Sequence, residues 1–262
     1  MELREVIGRR RSTRFVRPYR PVEPEKIQRM LEAARLASHW GNVQSLRAVV
    51  VFRHSATQET LDALYAPIAG WQIRIAPVVI VWYIDTVAVD VQSDRLRELL
   101  DAGALGFGEH KRDDLETQLI PIFDSIRDEL KKPGLGEVDC GQGIAQATLM
   151  AFEQGLGTCC LGTPKTEEIR VKLGLPESCR VLLLQTVGYP AESPEAGGQR
   201  PRRPFEELFF MNRYGEPFPR SAAVVDELTE DGMFTEPAPM PWREEELEFL
   251  RRALGLEGSG LF

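Results

Sequence analysis

Paired cysteines, long apolar runs, surplus basic charge and a glycine-rich dinucleotide fingerprint are all missing from this chain of 262 residues. The four cysteines, Cys140, Cys159, Cys160 and Cys179, contain no C-x-x-C pair, and adjacent Cys159 and Cys160 are badly placed to bond to each other. No histidine stands near them, so neither a zinc site nor a disulfide framework is expected, and buried reduced thiols fit best. No metal is expected anywhere. The longest apolar run, Ala76 to Ile84, spans nine residues and is too short to cross a bilayer. Charges at Glu2, Arg4 and Glu5 with no apolar segment behind them predict no secretory signal, and the chain reads as soluble and cytoplasmic. A net charge of −8 argues against a sequence-independent grip on nucleic acid, which needs surplus Lys and Arg. Neither nucleic acid nor a membrane is expected as a partner.

What is there is ordinary globular material, 43% apolar and 27% charged, enough for a full core. Ile27, Met30, Leu31 and Ala34 share one helical face, and Pro24 suits a first helical position, so a helix is predicted over 24–37. Ala48 to Phe52 and Pro77 to Tyr83 read as buried strands, and Arg180 to Val187 as a third. The stretch 94–132 is expected to be helical in two pieces. In the second, Leu115, Leu119, Ile122 and Ile126 share a face that Pro121 should bend or break. Residues 140–156 are apolar nearly all round, which predicts a central helix covered on most sides and capped near Gly155. A short helix follows over 166–173. The segment 189–204, rich in Pro, Gly and Arg, reads as a surface loop. The tail beyond Phe209 carries many prolines and ends in a predicted helix with Leu247, Leu250 and Leu254 on one face. Strands alternating with helices make the class α/β or α+β.

The positive charge is clustered despite the acidic balance. Arg10, Arg11, Ser12 and Arg14 put several charged donors and a hydroxyl within five residues, and Arg200 with Arg202 forms a second patch. Such groups suit a phosphate monoester, where each charge-assisted hydrogen bond contributes roughly 1.5–3 kcal/mol. Asn42 and Gln44, after Ser38-His39-Trp40-Gly41, offer amides that can read the edge of a planar heterocycle. Leu161-Gly162-Thr163 allows close approach of a ligand to backbone N–H groups. Taken singly, these segments read more readily as a solvated basic stretch, a polar connection and a turn.

Their order and spacing together resemble the nitroreductase family, from about Glu5 to Phe218. The match covers Arg-Arg-Ser-x-Arg, Asn-x-Gln, and Asp139-Cys140-Gly141-Gln142-Gly143-Ile144-Ala145-Gln146. It continues through Gly155-Leu156-Gly157-Thr158, Val187-Gly188-Tyr189-Pro190, the Arg200 to Glu207 block and Asn212-Arg213-Tyr214-Gly215. The resemblance implies an α+β fold, with a central mixed β-sheet flanked by helices, in an intertwined homodimer holding FMN at the subunit interface. Arg10, Arg11, Ser12 and Arg14 would match the N-terminal flavin-binding block, and Arg200 and Arg202 its second phosphate-binding pair. Asn42 and Gln44 would lie beside the partner's isoalloxazine, and Leu161, Gly162 and Thr163 would face flavin N5. Arg14 would stabilise negative charge on the reduced flavin.

The implied activity is ping-pong reduction of a nitroaromatic, quinone or similar electron-poor small molecule, with NAD(P)H as transient donor and the cofactor carrying the chemistry. No catalytic side chain is expected. Relatives that remove halide, fragment flavin or dehydrogenate heterocycles leave other chemistries open, as does a low-turnover FMN-binding role. Two regions are expected: an FMN-binding domain over 1–218, and an extension over 219–262 that wraps the partner subunit. The resemblance breaks at the loop before the first strand. Many members carry Pro-Ser before the Asn and Pro-Trp after the Gln; here the Trp precedes the Asn. His39 and Trp40 are therefore candidates for lining the acceptor pocket, with packing at the dimer interface as the other reading of Trp40.

Overall fold

The run from Ala76 to Ile84 is continuously apolar because its strand is buried on both faces. The computed structural model describes residues 1–65 and 68–256. Its sheet comprises β1 (Leu46–Phe52), β2 (Val78–Asp85), β3 (Gly157–Leu161) and β4 (Cys179–Gly188), in the spatial order β1-β2-β4-β3. Every ladder in it is antiparallel. A parallel bridge brings Ser12 alongside Thr158 of β3.

The described helices are α1 (Leu3–Arg9), α2 (Pro24–Arg35), α3 (Gln58–Leu64), α4 (Trp71–Ile75), α5 (Gln92–Asp101) and α6 (Lys111–Asp114). They continue as α7 (Ile120–Ser125), α8 (Arg127–Leu130), α9 (Leu135–Glu153), α10 (Thr166–Lys172), α11 (Ala222–Glu230) and α12 (Arg243–Ala253). On one face of β2, Val78, Ile80 and Trp82 pack with Ile27, Met30 and Ala34 of α2 and with Ile144, Ala147 and Ala151 of α9. On the other, Val79 and Val81 meet Phe15, Trp71, Ile73 and Ile169. Each such fully buried side chain stabilises the fold by roughly 1.5–3 kcal/mol. On the α2 and α9 side the buried polar groups pair with each other: Trp82 Nε1 donates to Gln185 Oε1 at 2.8 Å, and Gln185 Nε2 donates to Thr148 Oγ1 at 2.8 Å.

Several sequence expectations change. β3 was not among the three predicted strands: Gly-Thr-Cys-Cys-Leu has neither alternation nor a β-branched run. β1 is an edge strand, and only Val51 along it is buried. In the helical excursion, Leu115–Leu119 winds as a π-helix. The wider turn buries Leu115 with Ile120, five residues on, and leaves Ile122 and Ile126 exposed. Helix α9 begins at Leu135, before the predicted start, and ends at Glu153, with Gly155 just beyond it at a φ of +76° as the expected stop. Only one of its faces is covered, through Cys140, Ile144, Ala147 and Ala151, while Val138, Gln142, Ala145 and Gln146 face outward. The 189–204 segment is no surface loop throughout, since Glu192, Ala196, Gly197 and Gly198 are buried. Cys160 is exposed, unlike the other three thiols.

The C-terminal extension has two characters. Around α11 nothing is buried, and Phe209, Met211, Tyr214, Phe218 and Val224 present apolar surface just before and within it. From Met233 the chain packs on its own subunit: Leu250 joins the core, with Leu247 and Leu254 against it. Residues 257–262 of the extension lie outside the described residues. No helix among the described residues is long and apolar enough to cross a membrane.

Candidate functional site

Helix α1 delivers the first arginines. It ends at Arg9, and the chain then runs extended along β3, with Thr13 N donating to Thr158 O at 2.9 Å. Gly157 makes this approach possible, since a Cβ there would lie 2.5 Å from the Thr13 side chain. The segment from Ser193 returns to the same place. Together they line a cleft of about 780 Å³ in which Arg10, Arg11 and Ser12 meet Arg200 and Arg202. The two cationic patches, about 190 residues apart in the chain, thus share one cavity.

The arginines differ in what holds them. Arg11 is buried and committed to the fold: Nε donates to Gly198 O at 3.0 Å, Nη2 to Thr235 Oγ1 at 2.6 Å, and Nη1 to Gly8 O. Burial first, and then the charges of Arg10, Arg200 and Arg202, hold its pKa below the ordinary arginine value. Arg200 donates to Ala196 O at 2.8 Å, and burial followed by the charge of Arg14 depresses its pKa likewise. Arg14 lies beside the cleft with Nη1 3.2 Å from Ser12 O, and Arg202 is exposed. Among the described residues, none of these five arginines forms an ion pair with a carboxylate. Like charges gathered around one cavity make a positive field that a bound anion would relieve.

Sequence reasoning missed the organiser of this site. Glu192 is buried, and its Oε1 accepts from Arg14 N at 2.5 Å and Phe15 N at 3.1 Å, fixing the backbone that carries Ser12 and Arg14. Its other oxygen pairs with Arg243 of α12 at 2.6 Å. Nor did sequence show that Met233, Phe234 and Pro237 would form a wall of the cleft. A lone Glu in a proline-rich loop and a few tail residues carry no local signal.

The remaining candidates do not join this cleft within one chain. Leu161 is buried at the end of β3, Gly162 is exposed with open space around its Cα, and the Thr163 hydroxyl accepts from Lys165 N at 3.1 Å. The Ser38 to Ser45 loop sits at the far end of α9. There Trp40 N donates to Asp139 Oδ2 at 2.8 Å, and the Trp40 ring meets Phe123 at 4.7 Å. The cleft touches the same helix at Leu149, and a rise of about 1.5 Å per residue separates Asp139 from Leu149 by roughly 15 Å. Gly41, Asn42 and Gln44 all hold positive φ, +52°, +56° and +53°, a conformation costly for the two amides. His39 Nδ1 is buried without a partner, and burial lowers the imidazole pKa.

A family model described as the Nitroreductase family matches residues 7–189. The chain belongs to this family. Over 82 residues it is 37% identical to an NADPH-dependent oxidoreductase of Staphylococcus haemolyticus, a match covering 30% of this chain and 32% of that protein. The chain thus spans about a third of the length of the curated relatives it matches. Among solved structures of the nitroreductase family, one from Exiguobacterium sibiricum, in complex with FMN, superposes with a TM-score of 0.67 at 21% identity, over 81% of this chain and 98% of that one. A nitroreductase family protein of Streptococcus pneumoniae gives a TM-score of 0.62 at 21% identity, over 80% of this chain and 100% of the other. The α+β nitroreductase-like fold expected from the motifs is the fold observed.

Proposed function

We propose that the protein is an FMN-dependent NAD(P)H oxidoreductase acting on small electron-poor acceptors such as nitroaromatics and quinones. The observation that carries this reading is the cleft of unpaired arginines with Ser12. The donor set suits a phosphate monoester, and about 780 Å³ is within the range of cofactor pockets. The FMN in the Exiguobacterium structure and the NADPH dependence in the Staphylococcus relative's name point the same way.

Arg10, Ser12, Arg200 and Arg202 would hold the phosphate by charge-assisted hydrogen bonds. Arg11, tied to Gly8, Gly198 and Thr235, shapes the cavity and adds its field. Bound FMN supplies two-electron transfer between NAD(P)H and the acceptor at flavin N5. Leu161, at the end of β3, with Gly162 and Thr163 beyond it, would meet the ring system, and Arg14 would oppose negative charge on it. Asn42 and Gln44 do not line the same chain's cleft, and in a homodimer each loop would serve the partner. The uncovered face of α9 and the exposed Phe209, Met211, Tyr214 and Phe218 offer the surface such a dimer would bury. A cytoplasmic setting goes with reduced thiols and access to NAD(P)H.

The purified protein should be yellow and should bleach on anaerobic addition of NADPH or NADH. Replacing Arg10 and Arg14 together with Ala should weaken FMN binding by about a hundredfold or more, as expected for losing two charged donors. Full flavin occupancy of that variant in a fluorescence titration would rule out the phosphate assignment.

A further inference from the structure

We propose that the C-terminal segment from Gly232 to Leu256 is a strap of the same chain that walls the arginine cleft and retains the phosphate-bearing ligand, with Arg243 on Glu192 as its latch. This rests on the cleft being the FMN site. Three independent observations support it.

The strap contributes cavity surface, since Met233, Phe234, Pro237 and Ala238 face Arg10, Arg200 and Arg202 across the cleft. It is also tied down by backbone and side chain. Gln199 N donates to Glu236 O at 2.8 Å, Ala238 N to Gln199 O at 2.9 Å, and Thr235 Oγ1 receives Arg11. The Arg243 guanidinium, 11% exposed, spans Glu192 at 2.6 Å and Glu246 at 2.5 Å, and Glu246 accepts Ser193 N at 2.6 Å. Glu192 in turn holds the Arg14 and Phe15 amides, so the latch and the binding segment share one carboxylate.

The third observation lies in three glycines whose missing side chains make room for the strap. A Cβ on Gly8 would overlap Gly232 O and Met233; on Gly197 it would lie 2.9 Å from Arg243 Cδ, and on Gly198 2.8 Å from Ala238 N. Gly8 sits in α1, where helix propensity favours alanine. Its presence is explained by the strap and by nothing in the helix.

The test uses the full chain loaded with FMN. Arg243→Ala removes the latch, and Gly8→Ala pushes the strap outward while favouring the helix that carries it. Both should release FMN about tenfold faster or more, read by the return of free-flavin fluorescence on dilution. In both, amide exchange should rise over 232–256 while β2 and β4 stay protected as in the wild type. If Arg243→Ala fails to fold because Glu192 is left unpaired, Gly8→Ala decides the matter. Faster exchange in the strap with unchanged FMN release would overturn its role in retention and leave the FMN site standing. A wild-type chain that takes up no FMN would overturn both.

Discussion

The two ends of helix α9 treat their polar neighbours in opposite ways. Near Leu149, arginines gather without a carboxylate partner around open volume. Near Asp139, Trp40 packs in: it is held by Asp139 and Phe123, and the small cavity it lines is otherwise mostly apolar. In sequence both were polar clusters beside a helix. The structure separates them by where the charge is left unanswered. At the Trp40 end the backbone and ring are held by neighbouring groups; at the arginine end several like charges share one cavity, and an anion bound there would relieve their repulsion.

Trp40→Ala tests the packed side of this contrast most severely. Loss of the ring from its contact with Phe123 should destabilise the fold by about 1–3 kcal/mol, less than for a fully buried Trp because Trp40 is partly exposed. Thermal or urea unfolding measures it. A changed acceptor range with unchanged stability would instead move Trp40 into the substrate pocket and dissolve the contrast.

Arg11→Ala sharpens the comparison inside the cleft. Arg11 should behave as a structural residue, lowering the urea midpoint by the equivalent of about 1–2 kcal/mol as Gly8 O, Gly198 O and Thr235 lose their donor. FMN affinity should fall much less than in the Arg10 and Arg14 variant. Equal losses of affinity would show that all these arginines act alike.

The smallest effect is a pH dependence at His39. Burial holds its imidazole below the ordinary pKa, with Asp139 pulling the other way. The unfolded chain therefore binds the proton first as pH falls through about 6.5. Stability present above that pH is lost progressively below it. His39→Asn should flatten the slope of the melting midpoint between about pH 5 and 7. An unchanged slope would assign the dependence to other groups.

The sheet's centre was readable because Val78 to Ile84 is β-branched and aromatic on both faces, and α2 because its apolar spacing matches a covered face. β3 was not, since its order comes from Thr186 and Val187 on β4 and from the Ser12 segment rather than from its own residues. The shift from Ile122 to Ile120 follows from a π-turn, which a 3.6-residue period cannot anticipate. For the candidate site, Arg10, Arg11, Ser12, Arg200 and Arg202 were found by charge and family order, and the structure brings them together. Glu192 and Met233 escaped because their contacts span most of the chain, and nothing near them in sequence records a partner.

That long reach has a consequence for assembly. The cleft draws on residues 7–12, 149, 199–202 and 233–238, so no fragment of the nascent chain contains it. Contacts so far apart in sequence form late and slowly. Until synthesis passes residue 238 the cleft lacks the wall formed by Met233, Phe234, Pro237 and Ala238, and on the proposed reading flavin loading would follow folding of nearly the entire chain. Ligand binding then adds its free energy to global rather than local stability, and the melting temperature should climb with FMN concentration as a single cooperative transition.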